Sequence, residues 1–360
     1  MNHRIRTVCT AAALIAPLAA VAFAAPASAG SHDPTTIYTE TNAASGNAVL
    51  AFQETPGGLT SLGTYPTGGL GSGAGLGSQG AVAVAGHRLL AVDAGSDQIS
   101  LFRIDGHGAL TLTDTEPSGG SHPVSVTVDD DTVYVLNGGD STVNGFRIKG
   151  GSLVAIKGSH QHLTGSGAAQ IAFDRGGHRL VVTEKATNTI DVLPVHDGVA
   201  GPAVSNPSTG QTPFGFAIDR RDHVVVSNAA GGAAGASSLS SYGLSGAGSL
   251  GAISAPVPTT QTAACWVALS DDGRFAFTTN AGSGSVSSYR IARDGSLTLA
   301  QAVASTPGAG PSDMAVGNGE LFTLAGGAHV ISVARIGSAG TLTPVGQVSV
   351  PAGVAGLAAS

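Results

Sequence analysis

The chain has 360 residues, with 16 Lys and Arg against 23 Asp and Glu for a formal charge of −7. That acidic balance excludes a binder driven by neutralising nucleic-acid phosphates. Its 42% apolar content excludes wholesale disorder, and 54 glycines without a strict triplet exclude collagen.

In chain order, residues 1–29 read as a secretory signal. Arg4 and Arg6 precede an apolar run from Val8 to Ala25, and Ala27-Ser28-Ala29 sets cleavage before Gly30. The mature protein, residues 30–360, is therefore expected to be secreted and extracellular. No later apolar stretch is long enough for a membrane anchor. Cys9 leaves with the signal, so Cys265 stands alone and no intramolecular disulfide is expected.

From Ile37 onward one unit recurs. It runs as an apolar strand, a turn, a second strand ending near Asn or Asp, a Gly/Ser turn, and a third strand carrying Phe/Tyr-Arg-Ile. Compare Val92-Asp93-Ala-Gly-Ser-Asp-Gln-Ile99 with Leu136-Asn137-Gly-Gly-Asp-Ser-Thr-Val143 and Thr279-Asn280-Ala-Gly-Ser-Gly-Ser-Val286. Anchors at Val49, Ile99, Val143, Ile190, Leu239, Val286 and Val330 are spaced by 44 to 50 residues. Each unit holds four short runs of strand character and no helical stripe. Seven such units predict an all-β, seven-bladed β-propeller. The first unit lacks its innermost strand. The surplus tail Pro351-Ala-Gly-Val354-Ala-Gly-Leu357 is expected to supply it and close the ring, offsetting loop-closure entropy. Gly68 to Gly80 reads as a flexible inter-blade loop. Its Gly75-Leu-Gly-Ser-Gln-Gly80 matches a dinucleotide fingerprint, but a strand follows where a helix must start.

Antiparallel strands put first-strand starts and second-strand ends on one face of the disc. Around the axial mouth there, one expected ring holds Gln79, His122, Pro123, Gln170, Phe214, Cys265, Trp266, Ser312 and Asp313. A second holds Asn42, Asp93, Asn137, Glu184, Lys185, Asn228 and Asn280. This concave mouth is the expected ligand site, with Asp93, Asn137, Gln170, Asn228, Trp266 and Asn280 as contacts. His122 and Glu184 are the candidate catalytic groups. Side-chain capping of turns is the competing reading for the Asn and Asp residues, and a solvated ion pair with Lys185 for Glu184. His160-Gln-His162 would put two rings on one side of a strand, but nothing in the sequence completes a metal site. Cys265 reads as a small core residue. Asp129-Asp130-Asp131 reads as a solvated hairpin on the opposite face. No cofactor or metal is expected.

With these motifs in place, the chain resembles the seven-bladed propeller lactonase family, which includes 6-phosphogluconolactonase-like and carboxymuconate cyclase-like proteins. The carriers are His122-Pro123-Val-Ser-Val, Asn137-Gly-Gly-Asp-Ser-Thr-Val143, Thr212-Pro213-Phe214-Gly-Phe and Ser270-Asp271-Asp272-Gly273-Arg274. Thr212–Phe216 and Gln261–Trp266 are similar to a secreted actinobacterial branch. The resemblance implies an extracellular lactone hydrolase. It also implies a His-x-His before the innermost strand of the middle blade, where this chain reads Gly167-Ala-Ala-Gln170-Ile171. Lys185 is the cation the sequence places at the mouth, which argues against a phosphorylated substrate. A non-catalytic propeller holding an extracellular glycan or protein is the second expectation.

Overall fold

Each repeat folds as one antiparallel blade, because short runs of alternating or fully apolar residues broken by Gly, Asn and Asp turns can satisfy their backbone groups only in tight meanders. In the computed structural model, which describes residues 34–360, seven such blades form a ring. The 1–29 signal prediction lies outside the described residues. Blade 4 illustrates the order from the axis outward: Ala168–Phe173, then Arg179–Glu184, then Thr189–His196. Its outermost strand is split into Val199–Ala200 and Val204–Pro207, both paired to the third strand. Among the described residues the helical content is one 3-10 turn, Ala230–Gly232.

Six repeat anchors, Val49, Ile99, Val143, Ile190, Leu239 and Val286, occupy the second position of their third strands and are fully buried. Side chains there pack between adjacent blades. Leu180, Val182 and Leu193 of blade 4, for example, meet Tyr134, Leu136 and Val143 of blade 3. The core is thus a series of inter-blade seams.

The tail closes the ring. Ala355–Ala359 is the innermost strand of blade 1 and pairs antiparallel with Thr36–Glu40, with Ile37 opposite Ala359 and Glu40 opposite Ala355. The paired segment begins four residues later than the sequence suggests. The Thr39 hydroxyl adds a 3.1 Å bond to the Ala355 carbonyl. On the outer side of the same seam Gly346 approaches blade 1 so closely that a Cβ would lie 2.6 Å from the Gly57 carbonyl oxygen.

Candidate functional site: the upper mouth

Here "upper" denotes the face where innermost strands begin and second strands end. The second-strand ends fall at Glu40, Asp93, Asn137, Glu184, Asn228, Asn280 and Ala325. The blade 1 member is Glu40, so Asn42 is displaced from the ring, at φ 48, where its side-chain amide oxygen accepts from the Ser72 N–H. All seven side chains are buried, those of Asp93, Asn137, Asn228 and Asn280 among them. In blades 2 to 5 the linker entering the blade crosses directly above this residue. A Cβ on Gly69 would lie 2.4 Å from the Asp93 carboxyl carbon, and one on Gly210 would lie 2.2 Å from the Asn228 amide carbon. Gly120 covers Asn137 and Gly165 covers Glu184 in the same way. Beneath this cover the ring residues tie second strand to third. The Ser100 hydroxyl donates to Asp93 at 2.6 Å, and the Asn280 and Asn228 amides donate to Ser287 and Ser240 at 2.9 Å.

The mouth itself is filled by the chain. The Gly68–Gly80 loop, expected to be flexible, inserts as an ordered plug, with Ser78 and Gln79 buried. Gln79 crosses the axis to blade 6. Its side-chain amide donates to the Val267 carbonyl at 2.8 Å and accepts from the Val267 N–H at 3.0 Å. Those backbone groups lie on the innermost strand of blade 6, whose inner edge pairs with no other strand, next to a bulge between Ala264 and Val267. Gln170 does the same one blade over, taking both backbone groups of Phe216 beside a second bulge. Further ties of the plug run to blade 3 (Ser78 hydroxyl to the Val124 carbonyl, 2.8 Å), to blade 4 (Gln79 N–H to the Ala169 carbonyl, 3.0 Å) and to blade 6 (Trp266 indole N–H to the Ser78 carbonyl, 2.7 Å). Gly215 must lack a side chain, since a Cβ would lie 2.1 Å from the Gln79 side-chain amide oxygen and 2.6 Å from the Cys265 backbone carbonyl oxygen.

Two acids serve this construction. Asp313 is buried and accepts from the Met314 N–H at 2.7 Å, from the closing strand's Leu357 N–H at 3.1 Å, and from Gly80 of the plug. Burial holds its carboxyl well above the usual range. Glu184 in blade 4 accepts from the Gly165 N–H at 3.1 Å through one oxygen, while the other has no partner. Burial first, and then the Asp191 charge, push its pKa up to about 8. Asp191 is the residue that sequence reading missed. It lies seven positions after Glu184, where the matching positions in blades 2, 3 and 6 carry Ser100, Asn144 and Ser287. That substitution in the repeat was the available signal.

Lys185 lies beside Glu184 without a salt bridge. Its ammonium donates to the Gly77 carbonyl at 2.5 Å and sits 4.8 Å from the Phe214 ring centre. Phe214 and Trp266 pack with ring centres 5.0 Å apart. Cys265 is buried, and burial pushes its thiol up to about 12, so it is a core residue and no nucleophile. His122 is half-buried on the rim of blade 3 at φ 54; its N–H donates to Asp97, and among the described residues its ring has no hydrogen-bond partner. His160 and His162 lie on the outer edge of blade 3, off the mouth, with rings 5.2 Å apart and His160 Nδ1 bonded to Asn144. Among the described residues no group of three or more metal-ligating side chains converges.

This architecture has clear relatives. The structure is similar to a Bacteroides fragilis protein provisionally named a 6-phosphogluconolactonase (TM-score 0.70, 17% identity, covering 91% of this chain and 98% of that one). It is also similar to the Pseudomonas aeruginosa periplasmic gluconolactonase (TM-score 0.68, 16% identity, 90% and 98%). A Staphylococcus aureus virginiamycin B lyase aligns less well, at TM-score 0.54 and 15% identity over 75% of this chain and 84% of that one. These likenesses speak to the fold. Comparison with curated protein sequences gives no match. The family model described as "Lactonase, 7-bladed beta-propeller" matches residues 29–156, 81–234 and 229–318. Blade count, repeat register and this match agree, and the chain belongs to the seven-bladed β-propeller lactonase family.

Proposed function

We propose that the protein is an exported hydrolase of small, uncharged lactones that works at the upper mouth between blades 3 and 4. The observation that supports this reading is the departure of blade 4 from its own repeat, which pairs a buried carboxylic acid with Asp191 where other blades carry amides and hydroxyls. Departures from a local rule concentrate at functional sites. A Glu184 that keeps its proton near neutral pH can protonate the ring oxygen as the ester bond breaks. His122, on the neighbouring rim, takes a proton from the water that attacks the carbonyl. Glu184 is buried beneath Gly165, so this reading requires the 164–167 linker to move for substrate to reach it. Family membership supplies the reaction class. A phosphorylated lactone fits poorly, since Lys185 is already engaged with Gly77 and Phe214.

The test is a pH-stat assay with D-glucono-1,5-lactone and γ-butyrolactone. Wild-type protein should open the ring, and His122→Ala and Glu184→Gln should each lose roughly 10²- to 10⁴-fold, the usual worth of acid–base catalysis. Variants that match wild type would overturn the assignment. The plug favours one second reading, a propeller that holds a glycan or protein partner on its upper face without turnover. Quenching of Trp266 emission by such a ligand with no product would support it. Export is tested by the first residue of protein recovered from culture medium, expected at Gly30.

A further inference from the structure

We propose that the lower seam between blades 2 and 3 is a binding cleft for a small organic carboxylate with an apolar tail. The cleft opens on the face opposite the mouth, so it is independent of the hydrolase reading. It arises where one seam breaks the repeat. In each blade a turn joins the third strand to the fourth on the lower face, and in six seams that turn docks on the preceding blade. A Cβ on Gly58, Gly108, Gly198, Gly248, Gly295 or Gly340 would lie within 3.5 Å of that neighbour. Blade 3 is the exception: a Cβ on Gly150 would meet nothing within 4 Å, and one on Gly151 would meet Thr113 at 3.8 Å.

The next seam shows what is missing. There the Tyr134 hydroxyl donates to the Gly198 carbonyl at 2.8 Å, and the Arg147 guanidinium donates to the Asp197 carbonyl at 3.1 Å. Their counterparts in blade 2 are Leu90, which has no hydroxyl, and Arg103, the exposed arginine of the matching Phe-Arg-Ile run. Among the described residues Arg103 has no hydrogen-bond or salt-bridge partner. The Gly150-Gly151 turn therefore stands off and leaves a cleft of about 450 Å³, a volume suited to a small molecule. Buried Leu101 and Ile148 form its floor. Arg88 and Arg103 face each other across neighbouring strands at its rim, with His87 beside them, and no carboxylate lines it. The acids nearby are engaged. Asp131 pairs with Arg88 at 2.6 Å, Asp114 accepts from the Leu153 N–H at 2.7 Å, and Asp105 accepts from the His107 and Ala109 N–H groups. The Asp131 pair shows the group that this rim takes, and Arg103 offers a second guanidinium whose planar fork matches a carboxylate. A tail laid on Leu101 and Ile148 leaves water, which favours an amphiphile over a bare anion.

The experiment is isothermal titration calorimetry of the full chain with sodium octanoate at pH 7 in low salt. Octanoate should bind at one site, at least about tenfold tighter than acetate, which lacks the tail, or 1-octanol, which lacks the charge. Acetate binding as tightly would reduce the cleft to surface charge, and 1-octanol binding as tightly would take the guanidiniums out of it; either result overturns the proposal. Arg103→Ala should weaken octanoate about tenfold, and Arg103→Lys should recover only part of that, since an ammonium lacks the fork. Thr113→Trp, which fills the cleft and leaves its charge intact, should weaken binding by a similar factor. Arg147→Ala removes the matching guanidinium from the next seam and should leave octanoate binding unchanged. Equal loss in Arg103→Ala and Arg147→Ala would mean diffuse attraction to the lower face and would also overturn the proposal, as would wild-type affinity in Arg103→Ala or no binding of octanoate at all. Heat is read here and turnover is not, so a protein inert toward lactones leaves this proposal standing, and a lactone hydrolase that ignores octanoate removes this proposal alone.

Discussion

The upper and lower faces of the disc handle the same residue type in opposite ways. Above, Glu40, Asp93, Glu184 and Asp313 lie beneath linkers or against the plug, and burial raises the pKa of each. Below, acids sit in the turns. Asp105 accepts from the His107 and Ala109 N–H groups, which hold it below its ordinary value. Burial pushes Asp219 up, but the His223 and Arg221 N–H groups and the His223 ring outweigh it. Asp129 and Glu320 are the lower-face exceptions, raised by burial and neighbouring acids. The innermost strands show the same polarity: Ala168–Ile171 and Pro213–Phe216 are buried at the top, while Ala172, Phe173, Ala217 and Ile218 below are half-exposed. A propeller can thus be closed by its own chain on one side and remain open on the other. The closed side carries its acids at a cost in stability.

The largest expected effect tests that closure. Gly215→Ala places a Cβ 2.1 Å from the Gln79 side-chain amide oxygen and 2.6 Å from the Cys265 backbone carbonyl oxygen, with backbone on one side that cannot move aside. Overpacking of this kind should cost about 3 kcal/mol in urea unfolding. Gly246, in the lower turn of blade 5, meets nothing within 4 Å, and Gly246→Ala should stay within about 0.5 kcal/mol. Equal effects at the two positions would erase the distinction between faces.

Titration sharpens the comparison next. A carboxyl whose folded pKa is raised adds stability that is complete below its unfolded pKa and lost as pH climbs through the folded value. For Glu184 that window runs from 4.5 to about 8. Glu40, Asp93 and Asp313 act in the same direction, so the protein should melt at a higher temperature near pH 5 than near pH 8.5. Glu184→Gln removes one contributor and should gain about 2 kcal/mol over wild type at pH 8.5, with no gain at pH 5. A gain independent of pH would mean that Glu184 is ionised in the folded state.

How much of this was legible follows from the distance over which each feature is built. The blade count, the buried anchors from Val49 to Val286 and the pairing of the tail with Thr36–Glu40 rest on patterns that repeat within one unit. Strand ends such as Asp93 and Asn137 were located for the same reason. Their burial was not legible, because Gly69 and Gly120, which cover them, arrive from the preceding linker and leave no periodic trace. The Gly68–Gly80 loop misled for a related reason. Its glycines read as slack, yet they let backbone pass close to neighbours: a Cβ on Gly71 would lie 2.0 Å from the Asn42 carbonyl carbon, and Gly80 holds φ +81. The polar pair Ser78-Gln79 inside that run was the clue to a packed segment.

A smaller effect is expected where the plug can relax. Gln79→Ala leaves the Val267 N–H and carbonyl without partners in a place that water can enter once the side chain is gone. The loss should be about 1 to 2 kcal/mol. Trp266 is the sole tryptophan, and its indole bonds the adjacent Ser78 carbonyl, so its emission should shift to the red as the plug loosens. Unchanged emission would mean that the remaining ties hold the plug without Gln79.

The smallest effect belongs to the lower face and has a different signature. Asp272 accepts from the Ser270 hydroxyl at 2.7 Å and from Arg274 Nε at 2.6 Å, and burial is outweighed by these bonds, so its pKa lies below the ordinary value. The pair is about half exposed, with side chains 57% and 46% accessible, and solvent screens most of the attraction. Asp272→Asn should cost about 0.5 kcal/mol at pH 7, a contribution present above the unfolded pKa and lost as pH falls through the folded one. About 1 M salt should erase most of that difference, because the Debye length drops to about 3 Å. The Glu184→Gln gain should survive the same salt, since the energy there comes from burial that ions do not reach. If salt abolished both differences alike, the upper acids would be solvated like the lower ones, and the plug would not be the seal described here.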